Sequence, residues 1–149
     1  MDLDTGVTRD IYPMPAFVTL AVADIERTVD FYVNALDFVE LFRMPGLVHL
    51  RRWRYQDILV RPGECDPGHG WAVSIAAVAE DLPALVSKAR AHGGGAVSDP
   101  TDTPWNTRDV NVTDLDGYRL VYTARRPEGE RDEAFGERIV ALAREQNLT

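Results

Sequence analysis

The chain has 149 residues, 45% of them hydrophobic and 27% charged, which suits one compact core plus an extension. A formal net charge of −8 argues against nucleic acid as a partner, because phosphate binding needs a basic surface. No run approaches the roughly 18 apolar residues of a membrane span, and the acidic opening MDLDTGVTRD does not read as a signal peptide. Cys65 is alone, so no intrachain disulfide forms, and a reducing, cytoplasmic setting is expected.

Residues 1–14 lack periodicity and read as an N-terminal arm, with Pro13 and Pro15 stiffening the lead-in. Ala16–Ala23 reads as a strand and Ile25–Ala35 as a helix capped by Asp24, with Val29, Tyr32, Val33 and Leu36 spaced to pack on a sheet. Strands follow at Phe38–Arg43, Leu47–Trp53 and Tyr55–Arg61. Arg61–Gly70, rich in Pro and Gly, reads as a linker.

The second half opens with a strand at Ala72–Val78 and a helix at Leu82–His92, which Gly93-Gly94-Gly95 ends. Ala96–Ser98, a loop at Asp99–Thr107, and strands at Arg108–Thr113 and Tyr118–Ala124 complete it. Asp114-Leu115-Asp116-Gly117 reads as the hairpin turn between the last two strands. Residues 127–149 read as an amphipathic helix, its stripe formed by Phe135, Ile139, Val140 and Leu142. It is expected to pack on its own domain or on a second subunit.

Strand alternation divides the side chains into two sets. Val18, Leu20, Val22, Ile58, Val60, Val73, Ile75, Val110, Val112, Leu120 and Tyr122 are apolar and suit packing under helices. The opposite parity holds Phe17, Thr19, Asp57, Leu59, Ala72, Ser74, Asp109, Asn111, Val121 and Thr123, a mixed face that suits an organic ligand. His49, Arg51 and Trp53 share one strand face and are assigned to the same cavity, whereas Trp71 falls by parity on the structural side. Trp105, in TPWNTR, is either a cap on the core or a flat wall for a planar ligand.

The halves repeat each other. Phe17–Asp24 (FVTLAVAD) enters a helix beginning IERTVDFY, and Ser74–Asp81 (SIAAVAED) enters LPALVSKARAHGGG. With PWNTRDVNVTDLDGYRLVYTA near the end, this pattern resembles the vicinal oxygen chelate superfamily, the glyoxalase, bleomycin-resistance and dioxygenase fold, over about Pro13–Ala124. The resemblance implies an α+β fold: two βαβββ modules, about 15–62 and 71–126, forming a curved eight-stranded sheet around a cleft within a 15–126 domain. The family's first helix usually ends in Gly, a place Asp37 takes in this chain.

Metal-dependent relatives carry His, Glu or Gln at four strand positions, which correspond to Phe17, Leu59, Ser74 and Val121. With those positions vacant, and His49, His69 and His92 scattered, no metal and no cofactor are expected. Pro104, Trp105 and Arg108 match the Pro-Trp-x-x-Arg of metal-free antibiotic-binding resistance proteins. The resemblance therefore implies a homodimer that sequesters an aromatic small molecule or antibiotic, cationic ones included. Trp53 and Trp105 would stack on the ligand, Asp57 and Asp109 would supply charge, and His49 and Arg108 would join the binding set. A metal-independent enzyme of isomerase, lyase or cyclisation type is the alternative, its acid–base pair drawn from Asp57, Asp109 and His49. A protein-association role through the C-terminal helix is the third.

Overall fold

The computed structural model describes residues 5–148, so the first four residues of the expected arm and Thr149 lie outside it. In the first module β1 (Val18–Val22) leads into α1 (Ile25–Ala35), followed by β2 (Val39–Met44), β3 (Leu47–Arg51) and β4 (Asp57–Pro62). The sheet order is β1-β4-β3-β2, with β1 parallel to β4 and the other pairs antiparallel. The second module repeats the plan with β5 (Val73–Ala77), α2 (Leu82–His92), β6 (Ala96–Val97), β7 (Thr101–Asp102), β8 (Thr107–Thr113) and β9 (Arg119–Arg125). Its order is β5-β9-β8-β6, again with the first and last strands parallel, and β7 also pairs with β8.

The α+β class is as expected, but the strands form two hydrogen-bonded sheets of four and five rather than one of eight. The additional strand is β7, inside the segment the sequence reads as a loop. β6 and β7 both run antiparallel to β8, one against Val112–Thr113 and the other against Arg108–Asp109. They amount to one edge strand interrupted over Ser98–Pro100, where Ser98 Oγ accepts from the Asn111 amide at 2.9 Å and Pro100 has no N–H to give.

Local chemistry sets the element ends. The Asp24 side chain accepts from the Arg27 amide at 3.1 Å and caps α1. Asp37 takes φ 65°, the left-handed turn that releases the chain into β2, which Asp tolerates better than most side chains. Gly93 at φ 76° closes α2, and Gly95 serves a different need: a Cβ there would lie 2.6 Å from the Thr113 carbonyl.

The apolar parity is the core. Leu20, Val22, Ile58, Val60, Ile75, Val110, Val112, Leu120 and Tyr122 are buried beneath α1 and α2, with Val18 and Val73 packed at the margin. The opposite parity stays open at Phe17, Thr19, Ala72, Ser74 and Asn111, with Asp57 buried among it, and this positions the site. Buried polar bonds fix one module on the other. Tyr118 Oη donates to Ala21 O at 2.7 Å, Tyr122 Oη to Leu36 O at 2.9 Å, and Tyr32 Oη to Asp114 Oδ2 at 2.6 Å. Arg52 Nη1 and Gln56 Nε2 both donate to the Ala76 carbonyl on the free edge of β5, at 2.8 and 3.0 Å. An edge carbonyl is thereby satisfied by the neighbouring module.

Asp114 carries a pH signature. Burial raises its carboxyl above the ordinary value, while the Tyr32 hydroxyl and the amides of Asp116 and Tyr118 oppose the rise. The folded state thus holds this proton to higher pH than the unfolded chain does. Its contribution is full below the ordinary carboxylate value and is lost as pH rises through the raised one. Wild type should therefore lose stability relative to Asp114→Asn between pH 4 and pH 7, read as a wild-type urea midpoint that falls relative to the variant's.

The C-terminal helix α3 (Glu133–Glu145) starts later than expected, after a single 3-10 turn at Glu128–Glu130. Asp132 caps it, and Asn106 anchors the cap by donating to Asp132 O at 2.8 Å and accepting from Asp132 N at 2.7 Å. None of its residues is buried, and Ile139, Val140 and Leu142 stand exposed. Packing of this stripe on the chain's own domain is not what the structure shows.

Candidate ligand cleft

The edge strands β1 and β5, with β4, border a seam between the modules that side chains of both parities line. A cavity of about 410 Å³ lies there, lined by residues 16–18, Phe38, 55–58 and 71–75. Its aromatic walls are Phe17, Tyr55 and Trp71, which are 54%, 51% and 38% exposed. Ser74 of β5 and Ala72 just before it also line the cavity, as does Asp57 of β4. Of the four positions that match metal-ligand slots, Phe17 and Ser74 line the cavity. Leu59 pairs with Thr19 and Val121 with Ser74, on the same open faces but outside the lining.

These residues do not fit a divalent ion. Phe17, Leu59 and Val121 offer no donor atom, Ser74 offers one hydroxyl, and among the described residues no three His, Cys, Asp or Glu side chains converge.

Asp57 is committed within the protein. Arg51 donates to it twice, Nε to Oδ1 and Nη2 to Oδ2, both at 2.8 Å, and His49 Nε2 lies 2.6 Å from Oδ2. The Asp57 side chain is 0% exposed and that of Arg51 is 1% exposed. Register explains the meeting: Arg51 and Asp57 face each other across β3–β4, and His49 stands opposite Leu59. The charge that Asp57 was expected to offer a ligand is thus met by Arg51.

The same guanidinium ties down the arm. Arg51 Nη1 donates to Thr8 O and Asp10 O at 3.1 and 2.8 Å, and its carbon lies 4.2 Å from the Tyr12 ring centre. Tyr12 Oη accepts from the Tyr55 amide at 2.9 Å, and the two rings meet edge to face at 5.0 Å. The arm therefore braces Tyr55, a wall of the cleft. It also roofs a side pocket of about 290 Å³ lined by Arg9, Ile11, Tyr12, Leu41, Phe42, His49 and Arg51.

The remaining expected residues are dispersed. Trp53 is buried in the β3–β4 turn, with the Arg52 guanidinium stacked on it at 3.8 Å, outside the cleft. Trp105 is 57% exposed in the β7–β8 loop and lines no part of the cleft. Arg108 shares the parity of Val110; its Nε donates to Asp102 at 2.7 Å, and it also pairs with Glu130. Asp109 lies on the open face of the second sheet, half-buried, with Oδ1 buried and without a partner among the described residues.

Sequence reasoning missed Tyr55 and misplaced Trp71. Tyr55 sits at φ 64°, so it escapes strand alternation. Trp71 precedes β5, which begins at Val73, so counting parity back to it is not valid. Its position directly after a Gly-rich linker was the usable signal.

The model of the Glyoxalase/Bleomycin resistance protein/Dioxygenase superfamily matches residues 15–122. TioX from Micromonospora sp. ML1 is similar at 26% identity, covering 73% of this chain and 96% of that one, with a TM-score of 0.57. TnmS3, an antibiotic binding protein from Streptomyces sp. CB03234, is 22% identical over 73% of this chain and 93% of its own, with a TM-score of 0.61. A bleomycin resistance determinant encoded on the transposon Tn5 is 21% identical, covering 76% and 97%, with a TM-score of 0.56. No curated protein matches the chain.

Proposed function

We propose, from the premise that the chain belongs to the glyoxalase/bleomycin resistance protein/dioxygenase superfamily, that it is a metal-free binding protein for an aromatic small molecule. The observation that carries this is the seam cavity itself: three exposed aromatic walls, Phe17, Tyr55 and Trp71, around a concave site that also takes in Ser74. Aromatic surface left in water around a concave site is the usual signature of a stacking pocket. Structural neighbours described as an antibiotic binding protein and a bleomycin resistance determinant support an antibiotic-like ligand. A cationic ligand gains no free counter-charge from Asp57, which Arg51 holds, or from Asp109, which lies outside the cavity lining.

Sequestration implies no bond making. The ligand is held by desolvation and stacking, and release follows the same path. A second subunit closes the open faces in this reading, covering exposed Phe17, Phe42 and Met44 and the stripe on α3. A cytoplasmic setting stays an expectation; among the described residues no helix is long and apolar enough to cross a membrane.

The test is elemental analysis with tryptophan-fluorescence titration against bleomycin on one purified sample. Saturable quenching without stoichiometric metal is expected. Stoichiometric metal bound at the cleft would overturn the reading.

One observation favours a second reading, metal-free catalysis. Asp57 holds His49 at 2.6 Å and so fixes the ring of a candidate base beside the arm-roofed pocket. His49→Gln would abolish turnover while sparing affinity if this reading holds; no turnover of any bound ligand by wild type would end it.

A further inference from the structure

Two neighbouring arginines are buried, and only one has its carboxylate. Arg51 is matched twice by Asp57. Arg52 is 4% exposed and has no ion pair among the described residues. Its Nη1 donates to Gln56 Oε1 at 3.0 Å and to Ala76 O at 2.8 Å, while its buried Nε has no partner. Its guanidinium carbon lies 3.8 Å from the Trp53 ring centre and 5.1 Å from that of Tyr122. Stacking holds the guanidinium plane and Nη1 makes two bonds within the protein, which leaves the Nε edge of the fork without an acceptor, and that edge is what a carboxylate engages.

Arg52 borders a hollow of about 430 Å³ that shares no lining residue with the cleft. We propose that this hollow is a second binding site, for a small monocarboxylate with an apolar body, whose carboxylate meets Arg52.

The other lining groups select the class. Leu82, Ala84 and Leu85 of α2 supply apolar surface. Lys88 is already paired with Asp37, so it adds no free positive charge. Asp81 lines the same hollow without a side-chain cap bond, and its negative charge disfavours a dianion or a phosphate. Burial lowers the proton affinity of Arg52, the Tyr122, Asp37 and Asp81 groups oppose that only in part, and an incoming anion would offset more of the cost.

The probe is phenylacetate, with neutral phenylacetamide as control, followed by the Arg52 Nε–H resonance and by calorimetry on the full chain. A saturable shift with phenylacetate and none with the amide is expected. Arg52→Gln should weaken binding by roughly 30-fold or more. Asp81→Asn removes a like charge and should tighten binding roughly two- to fivefold. Because Arg52 also anchors Ala76, Asp81→Asn carries the test if Arg52→Gln does not fold. Trp71→Ala, in the separate cleft, should leave phenylacetate affinity unchanged. The proposal is overturned if phenylacetate gives no saturable shift, if the amide binds as well, or if Asp81→Asn weakens binding.

Discussion

Replacing Asp57 with alanine should lower stability by about 3–5 kcal/mol, read as a shift of the urea midpoint with unchanged slope. The carboxylate is fully buried and answers a guanidinium that is itself 1% exposed. Removing it leaves Arg51 in a low-dielectric setting with the Thr8 and Asp10 carbonyls and the Tyr12 ring, none of which is a full counter-charge. His49 loses its partner in the same step. Replacing the pair together, Arg51→Met with Asp57→Leu, should cost much less than Asp57→Ala alone, because no charge is then stranded. It should also free the arm, so that trypsin cuts after Arg9 faster than in wild type. An unchanged midpoint in Asp57→Ala would show that the carboxylate is not buried against Arg51.

That ion pair also shows where sequence stops being informative. The parity of β1, β4, β5, β8 and β9 was legible because alternation has a period of two and one face is almost wholly apolar. The Asp24 cap and the left-handed Asp37 were legible because each follows from one residue's own chemistry. Cross-strand register was not. Arg51 meets Asp57 only because the intervening turn, residues 52–56, puts Tyr55 at positive φ and ends β3 two residues before Trp53. An expected strand running on to Trp53 aimed that side chain into the cleft, whereas the turn tucks it under Arg52. The seam is equally invisible in sequence, because it depends on how Arg52 and Gln56 reach Ala76 across the modules.

Trp71→Ala should weaken bleomycin binding by roughly 30-fold, the cost of losing a central aromatic anchor, whereas Trp105→Ala should change it little. The contrast rests on position. Trp71 lines the seam cavity opposite Phe17, while Trp105 stands in the β7–β8 loop outside it. Stability is a poor explanation for such a loss: Trp71 is 38% exposed and meets the Tyr118 ring only loosely, at 6.0 Å. Phe17→Ala should weaken binding in the same direction, because it removes another wall without touching the core. Trp71→Phe separates wall from reporter. It keeps a flat ring and so most of the affinity by calorimetry, but it removes the indole whose quenching follows occupancy. If calorimetry found Trp71→Ala and Phe17→Ala as tight as wild type while Trp105→Ala lost affinity, the ligand would lie at the β7–β8 loop and the seam would not be the binding site.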